Sequence, residues 1–457
     1  MMPSFEAQRI ADWTGGTWLN PSKLDIEGFC FDARQIKPGQ CFVALSGGGR
    51  DGHDFVQQAA KGGAVAALVE RIQPIALPQL QVADTLVALA AIAAAVRSQY
   101  SHPVVGITGS CGKTSTKEML RLVLGSARTH ATAGNWNNRI GVPMTLFGLD
   151  SRLQDFAVIE AGINQPDEML QLGQMIQADL CVVTNIGHAH LELLGSMDNV
   201  ATEKSFLVQC AKPDSPVVLP AAALAFPAYA KLANRVIALL KDGQAEPAVV
   251  PNELVRYSTV MEDGYQLLNM QNHTYRIASL SHGMASNAAL AIVSAKQLGI
   301  SESEIEQRIA SWRPAGNRGR IETLAAQTFY IDCYNANPSS MIDALGAFIQ
   351  SVSPDLARIY VMGAMNELGV TALSEHERLG RLLSLRECDR ALFVGPEPLT
   401  SAYQLGALSG GAAPQQIQCF ENIEKIKSMV APFEGAIFLK GSRSYRLEEL
   451  LPPGISS

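Results

Sequence analysis

The stretch SHPVVGITGSCGKTSTKEM (101–119) constrains the fold more than any other part of the chain. It passes from an apolar strand through a glycine-rich turn into Lys113-Thr114, with a helix expected from about Thr114. In such a unit the backbone N–H groups of the turn, a helix N-terminus and an ammonium converge on one point, which suits phosphate oxygens. The strict phosphate-loop pattern is G-x4-G-K-[ST]. Here five residues separate Gly106 from Gly112, one more than the pattern allows. An ordinary strand–helix turn is the alternative reading. As a phosphate loop, Gly109, Ser110, Gly112 and Ser115 would form the cradle. Lys113, read as an exposed loop lysine, would reach the β- and γ-phosphates of a nucleotide, and the Thr114 hydroxyl would face Mg2+.

A strand–loop–helix unit needs further parallel strands beside it. Apolar runs recur at FAVIEAG (156–162) and LCVVTNIG (180–187), with helical segments between them, which predicts a parallel sheet with helical crossovers. Before this region, CFVAL (41–45) and AVAALVE (64–70) suggest a small α/β unit. After it, RPAGNRGRIE (313–322) reads as a linker or hinge. The runs TFYIDCYNANP, RIYVMGAM, RALFVG and GAIFLKGS then predict a second parallel α/β domain. A length of 457 residues accommodates about three domains. Their expected extents are 1–101, 102–314 and 315–457.

Composition excludes several classes. With 47% apolar and 17% charged residues the chain can bury large cores. A net charge of -7 argues against a nucleic-acid surface, although it leaves room for a local anion site. Eight cysteines without CxxC pairs fit reduced thiols. The first residues lack a signal-peptide pattern. The longest apolar run, Leu86–Val96, is 11 residues, against the ~20 that a membrane helix needs. It reads as a buried helix capped by Asp84. A cytoplasmic protein without membrane insertion is expected.

Several polar residues stand out. Glu160 ends an apolar strand, where it is either a metal-facing carboxylate or an exposed strand-end acid. A lone histidine such as His190 is more often structural than a ligand. In SMDNVATEKSFLVQCA (196–211), Met197, Val200, Lys204, Leu207 and Ala211 recur at helical spacing, so Lys204 points inward with the apolar side chains. It is either a lysine whose stem packs while its charge reaches water, or one whose depressed pKa lets the neutral amine capture CO2 as a carbamate. Asp332, Tyr334, Asn335 and Asn337 follow a strand, where α/β sheets place ligands, but they would serve equally as turn formers.

The loop form G-x-T-G-x-x-G-K-[ST] resembles that of the Mur ligase family. NWNNRIGVPMTL (135–146), VIEAGIN (158–164) and TNIGHAHLELLGS (184–196) follow in that family's order. YNANPSSM (334–341), GAMNELG (363–369) and LKGSRSYRLE (439–448) are similar to the branch that adds D-alanyl-D-alanine. FDARQIKPGQCFVALSGGGRDGHDF (31–55) resembles its UDP-binding region.

The resemblance implies an N-terminal UDP-sugar domain, a central phosphate-loop ATPase domain and a C-terminal Rossmann-like domain. It also implies ATP and two Mg2+ ions. The expected reaction joins D-alanyl-D-alanine to a UDP-N-acetylmuramoyl tripeptide through an acyl phosphate, in peptidoglycan synthesis, by an enzyme expected to act as a monomer. Carried over by motif, Thr114, Glu160, His190 and a carbamylated Lys204 would surround the metals. Asn138, Asn287, Asp332, Tyr334, Asn335 and Asn337 would contact the nucleotide, and Arg320 would lie near the γ-phosphate. Asp32, Arg34, Gly47, Arg50, Asp51, His53, Asn164, Lys440, Ser442 and Arg443 would bind the substrate. Three positions depart from the pattern: Ala33 replaces a serine, Gly283 a histidine and Ala364 an aspartate. Two alternatives therefore stand beside the first reading: a sister ligase with another amine substrate, and a nucleotide-binding homologue without catalysis.

Overall fold

A computed structural model describes residues 4–20, 25–262 and 264–455. It holds three main sheets in chain order. The first has five strands, in the spatial order Thr17–Leu19, Gln79–Gln81, Ala66–Val69, Cys41–Val43, Phe29–Cys30; only the first pair is antiparallel.

The central sheet has nine strands. Thr129–Ala131, Phe156–Glu160, Val104–Thr108, Leu180–Val183, Val217–Pro220, Val236–Lys241 and Glu253–Glu262 lie parallel. Their continuous apolar runs follow from burial on both faces, as a parallel sheet requires. Alternate residues feed two cores. Val104, Ala157, Ile159, Cys181 and Val183 enter one, while Val105, Ile107, Val158, Leu180 and Val182 enter the other. The sheet is then extended by an antiparallel meander through Tyr265–Met270 and His273–Ile277, which the sequence reading does not contain. There the burial alternates residue by residue, one face being solvated.

The third sheet orders Arg320–Leu324, Gln327–Ile331, Gly435–Lys440, Arg358–Gly363, Arg390–Val394 and Ile417–Phe420. All four expected strands are present and parallel, and Arg320–Leu324 adds an antiparallel edge. Residues 312–319 form the irregular connection expected between the second and third segments.

The apolar run at 86–96 lies in the helix Thr85–Gln99, whose first turn is capped by Asp84 accepting from the N–H groups of Leu86 and Val87. This helix joins the first sheet to the second. Phe5 and Phe29 share a core with Val142, Leu146 and Phe147, and the Phe29 and Phe147 rings lie 4.6 Å apart. All eight cysteines are free. No helix among the described residues is long and apolar enough to cross a membrane.

Candidate active site

The central and third sheets face each other across a cleft of about 960 Å³. Its floor is the turn after Val104–Thr108. Gly109 has φ +147°, and a Cβ there would run into Thr184 Oγ1. Gly112 has φ +81°, and a Cβ there would strike the Asn287 side chain. Both glycines are therefore required, one by the neighbouring strand end and the other by the helix that carries Asn287. The loop is fastened to that strand end. Ser110 N–H donates to the Asn185 carbonyl (3.0 Å), Cys111 N–H to Asn185 Oδ1 (2.8 Å), and the Thr184 hydroxyl to the Cys111 carbonyl. The Ser110 hydroxyl exchanges bonds with both backbone groups of Gly187.

Lys113 is the first residue of the helix Lys113–Leu124. It is not the exposed lysine expected: it is half-buried, and Nζ donates back to the Gly109 carbonyl at 2.8 Å. Burial lowers its pKa, and the charge of Glu160 opposes that shift. Glu160 itself is 1% exposed. Its carboxylate accepts from the Thr114 hydroxyl (2.9 and 3.2 Å) and from Asn137 Nδ2 (2.7 Å). Ser115 is buried just behind the loop. On the cleft wall, Asn138 Oδ1 caps the helix Gly141–Leu146 by accepting from the N–H groups of Ile140 and Gly141, and Asn164 N–H donates to Glu168.

His190 lies on the same wall at φ 58°, its Nδ1 2.6 Å from Glu367 of the third segment. The bond to His190 holds the Glu367 carboxyl below its usual range. Lys204 is on the helix Met197–Gln209 and fully buried, as the spacing predicts, but it lies behind the wall and not on it. Among the described residues its Nζ has no hydrogen-bond partner. Burial, with Lys113 adding to it, pushes its pKa well down.

From the third segment, Asp332, Tyr334, Asn335, Asn337, Lys440, Ser442 and Arg443 all reach the cleft. Lys440 Nζ donates to Asp332 Oδ2 at 2.6 Å and to the Asn335 carbonyl at 3.2 Å. Burial raises the Asp332 pKa against the opposing pull of Lys440. Asn337 caps the helix Pro338–Ser351, Ser442 Oγ accepts from Asn366 N–H, and Arg443 pairs with Glu448. Arg320 is not brought to the cleft; it starts the edge strand and bonds Glu322 at 3.3 Å. Arg318 lines the cleft instead, its guanidinium 3.8 Å from the Tyr334 ring centre.

The residues carried over for the UDP moiety lie in the first segment, away from this cleft. Gly47 and Arg50 pair across a short hairpin, and Arg34 forms an ion pair with Asp32. Asp51 pairs with Arg71 and lies 2.6 Å from His53 Nδ1; His53 Nε2 accepts from Glu70 N–H.

The three departures have local explanations. Ala33 is buried in the core of the first sheet, where a hydroxyl would need a partner. Ala364 is fully buried and close to Gly395, where a carboxylate would need a partner. Gly283 makes room for Asp343: a Cβ there would sit 2.7 Å from Asp343 Oδ2. Asp343 bridges the two segments, accepting from the Ser281 hydroxyl (2.6 Å) and from Gly283 N–H (3.1 Å). Losing these bonds should cost about 1–2 kcal/mol, or about 5–30-fold in the opening equilibrium. Asp343→Ala should accordingly fold, while the connection at 312–319 is cleaved that much faster in limited proteolysis. An unchanged cleavage rate would show that Asp343 does not hold the segments together.

Three family models match successive stretches of the chain. Residues 25–106 match the model described as Mur ligase family, catalytic domain; 107–295 match the Mur ligase middle domain, and 319–443 the Mur ligase, glutamate ligase domain. The UDP-N-acetylmuramoyl-tripeptide–D-alanyl-D-alanine ligase of Treponema pallidum is 31% identical, over 93% of each chain. The chain belongs to the Mur ligase family. The Escherichia coli ligase of the same name is also 31% identical, over 98% of each chain. A crystal structure of MurF from Acinetobacter baumannii matches with a TM-score of 0.85 at 28% identity, covering 98% of both chains.

Thr114 and Glu160 stand together on the cleft wall as oxygen donors that could hold a divalent cation. Hard oxygen ligands on a buried wall fit Mg2+. No group of three or more His, Cys, Asp and Glu is gathered among the described residues. Glu367 and Asp343 escape the sequence reading because each finds its partner only when the third segment packs against the second, and Arg318 because its contact with Tyr334 is not coded by any local period.

Proposed function

We propose that this chain is the ATP-dependent ligase that joins D-alanyl-D-alanine to a UDP-N-acetylmuramoyl tripeptide. The observation that carries the reading is a single cleft in which the phosphate loop, Glu160 and the Asp332–Asn337 and Lys440–Arg443 stretches meet. The relatives that it matches over nearly their whole length carry that activity in their names.

The terminal carboxylate of the tripeptide attacks the γ-phosphorus of ATP, the P–O bond to the β-phosphate breaks, and ADP leaves. The amine of D-alanyl-D-alanine then attacks the acyl carbon. The tetrahedral intermediate expels phosphate, the amine loses its proton, and the amide remains. Loop N–H groups and the Lys113 ammonium stabilise the charge that builds on the transferred group. For the ammonium to do so, Lys113 must exchange the Gly109 carbonyl for phosphate oxygens. Thr114 and Glu160 would hold Mg2+, which when bound neutralises phosphate charge. His190 and a carbamylated Lys204 complete the metal surroundings in this reading. The UDP moiety is assigned to Asp32, Arg34, Gly47, Arg50, Asp51 and His53, and domain limits to 101/102 and 314/315. The location is cytoplasmic and the enzyme is a monomer.

Purified protein should release phosphate from ATP and Mg2+ only when a muramoyl tripeptide and D-alanyl-D-alanine are both present. Release with a different amine would favour a sister ligase. No release with any acceptor would leave a homologue without catalysis.

A further inference from the structure

Lys117 has no part in the chemistry above, although it sits one helical turn beyond Lys113. It is fully buried, which is rare for lysine unless the charge is paired. Nζ donates to the carbonyls of Thr132 (2.7 Å) and Gly134 (2.9 Å), and it lies 3.8 Å from Glu160 Oε2 and 3.1 Å from Glu118 Oε1. The segment it grips reaches Glu160 twice, once at its backbone and once at its carboxylate. Glu160 N–H donates to Thr132 Oγ1 at 2.9 Å, and Asn137 Nδ2 donates to Glu160 Oε1 at 2.7 Å. One buried ammonium thus holds both the Glu160 side chain and the segment that orients it.

We propose that Lys117 is a positioning residue that sets the Glu160 carboxylate against Thr114 for a divalent cation. Without the ammonium, the carbonyls of Thr132 and Gly134 lose a donor. Asn137 drifts, and the Glu160 side chain loses its direction. This role rests on the nucleotide–Mg2+ reading of the cleft. Partners that orient a metal-binding carboxylate typically contribute ~10–100-fold to metal affinity or activity.

The test uses the full chain and a fluorescent ATP analogue, with binding followed across a MgCl2 titration and in EDTA. In Lys117→Met the Mg2+ midpoint should rise ~10–100-fold, with binding in EDTA unchanged; Lys117→Arg should restore part of the shift. Asn137→Ala, which touches the same carboxylate without leaving a buried charge unpaired, should move the midpoint in the same direction. It carries the test if Lys117→Met does not fold. A lowered melting temperature with an unmoved Mg2+ midpoint would make Lys117 merely structural and overturn the proposal alone. A wild-type chain that binds no Mg2+–nucleotide would overturn the functional reading with it.

Discussion

Lys113→Ala should lose ~10²–10³-fold in turnover, the usual cost of removing one group that stabilises transition-state charge. The structure sharpens this expectation. The ammonium closes on the Gly109 carbonyl at 2.8 Å, so in this conformation it braces the loop that it would serve. The substitution therefore removes a loop contact as well as a charge. Melting temperature should fall little, because one neutral-acceptor bond to a lysine at a half-buried position contributes about 1 kcal/mol. Steady-state phosphate release and a thermal melt on the same sample separate the two effects. Near-normal turnover would mean that ATP is bound elsewhere or not at all.

Lys204→Ala should lose activity on a similar scale, ~10²–10³-fold, with the fold intact. Among the described residues this buried amine has no hydrogen-bond partner, which is costly for an ammonium, and burial depresses its pKa and so favours the neutral amine that can add to CO2. Capture forms an N–C bond and releases a proton, turning a would-be cation into an anion of the sort that Mg2+ prefers. Alanine leaves a gap that acetate or formate can occupy, and either should restore part of the rate. A lysine whose charge simply reached water would give a mild defect that no carboxylate relieves, but Lys204 is fully buried. Full activity in Lys204→Ala, or a bare amine by intact mass in active enzyme, would sink the carbamate.

The strands around the site are legible because a parallel sheet demands unbroken apolar runs, and 104–108, 156–160 and 180–183 are such runs. The inward direction of Lys204 is equally legible, since helical spacing alone fixes its face. The meander at 253–277 is not, because its solvated face intersperses Arg256, Ser258 and Thr274 among the apolar residues. Nor can the sequence choose between Arg318 and Arg320. Arg318 lies in the irregular connection and Arg320 at the strand start just after it, where no period dictates direction, and Arg318 lies in the cleft against the Tyr334 ring. Lys117 illustrates a further limit. It lies just beyond the phosphate-loop motif, and its burial depends on carbonyls fifteen and seventeen residues downstream folding over it.

The phenyl contact between the first and second segments has a mechanical consequence. Parting Phe5 and Phe29 from Phe147 would expose apolar area at roughly 25 cal/mol per Å², so the shared core resists separation of those two segments. The cores of the third segment contain no residue from either of the others, and the bonds that reach across, such as those of Asp343 and Glu367, join groups that water satisfies readily. The molecule therefore has a built-in asymmetry of stiffness: two segments welded through a shared apolar core, and a third held against them by polar bonds that water can replace.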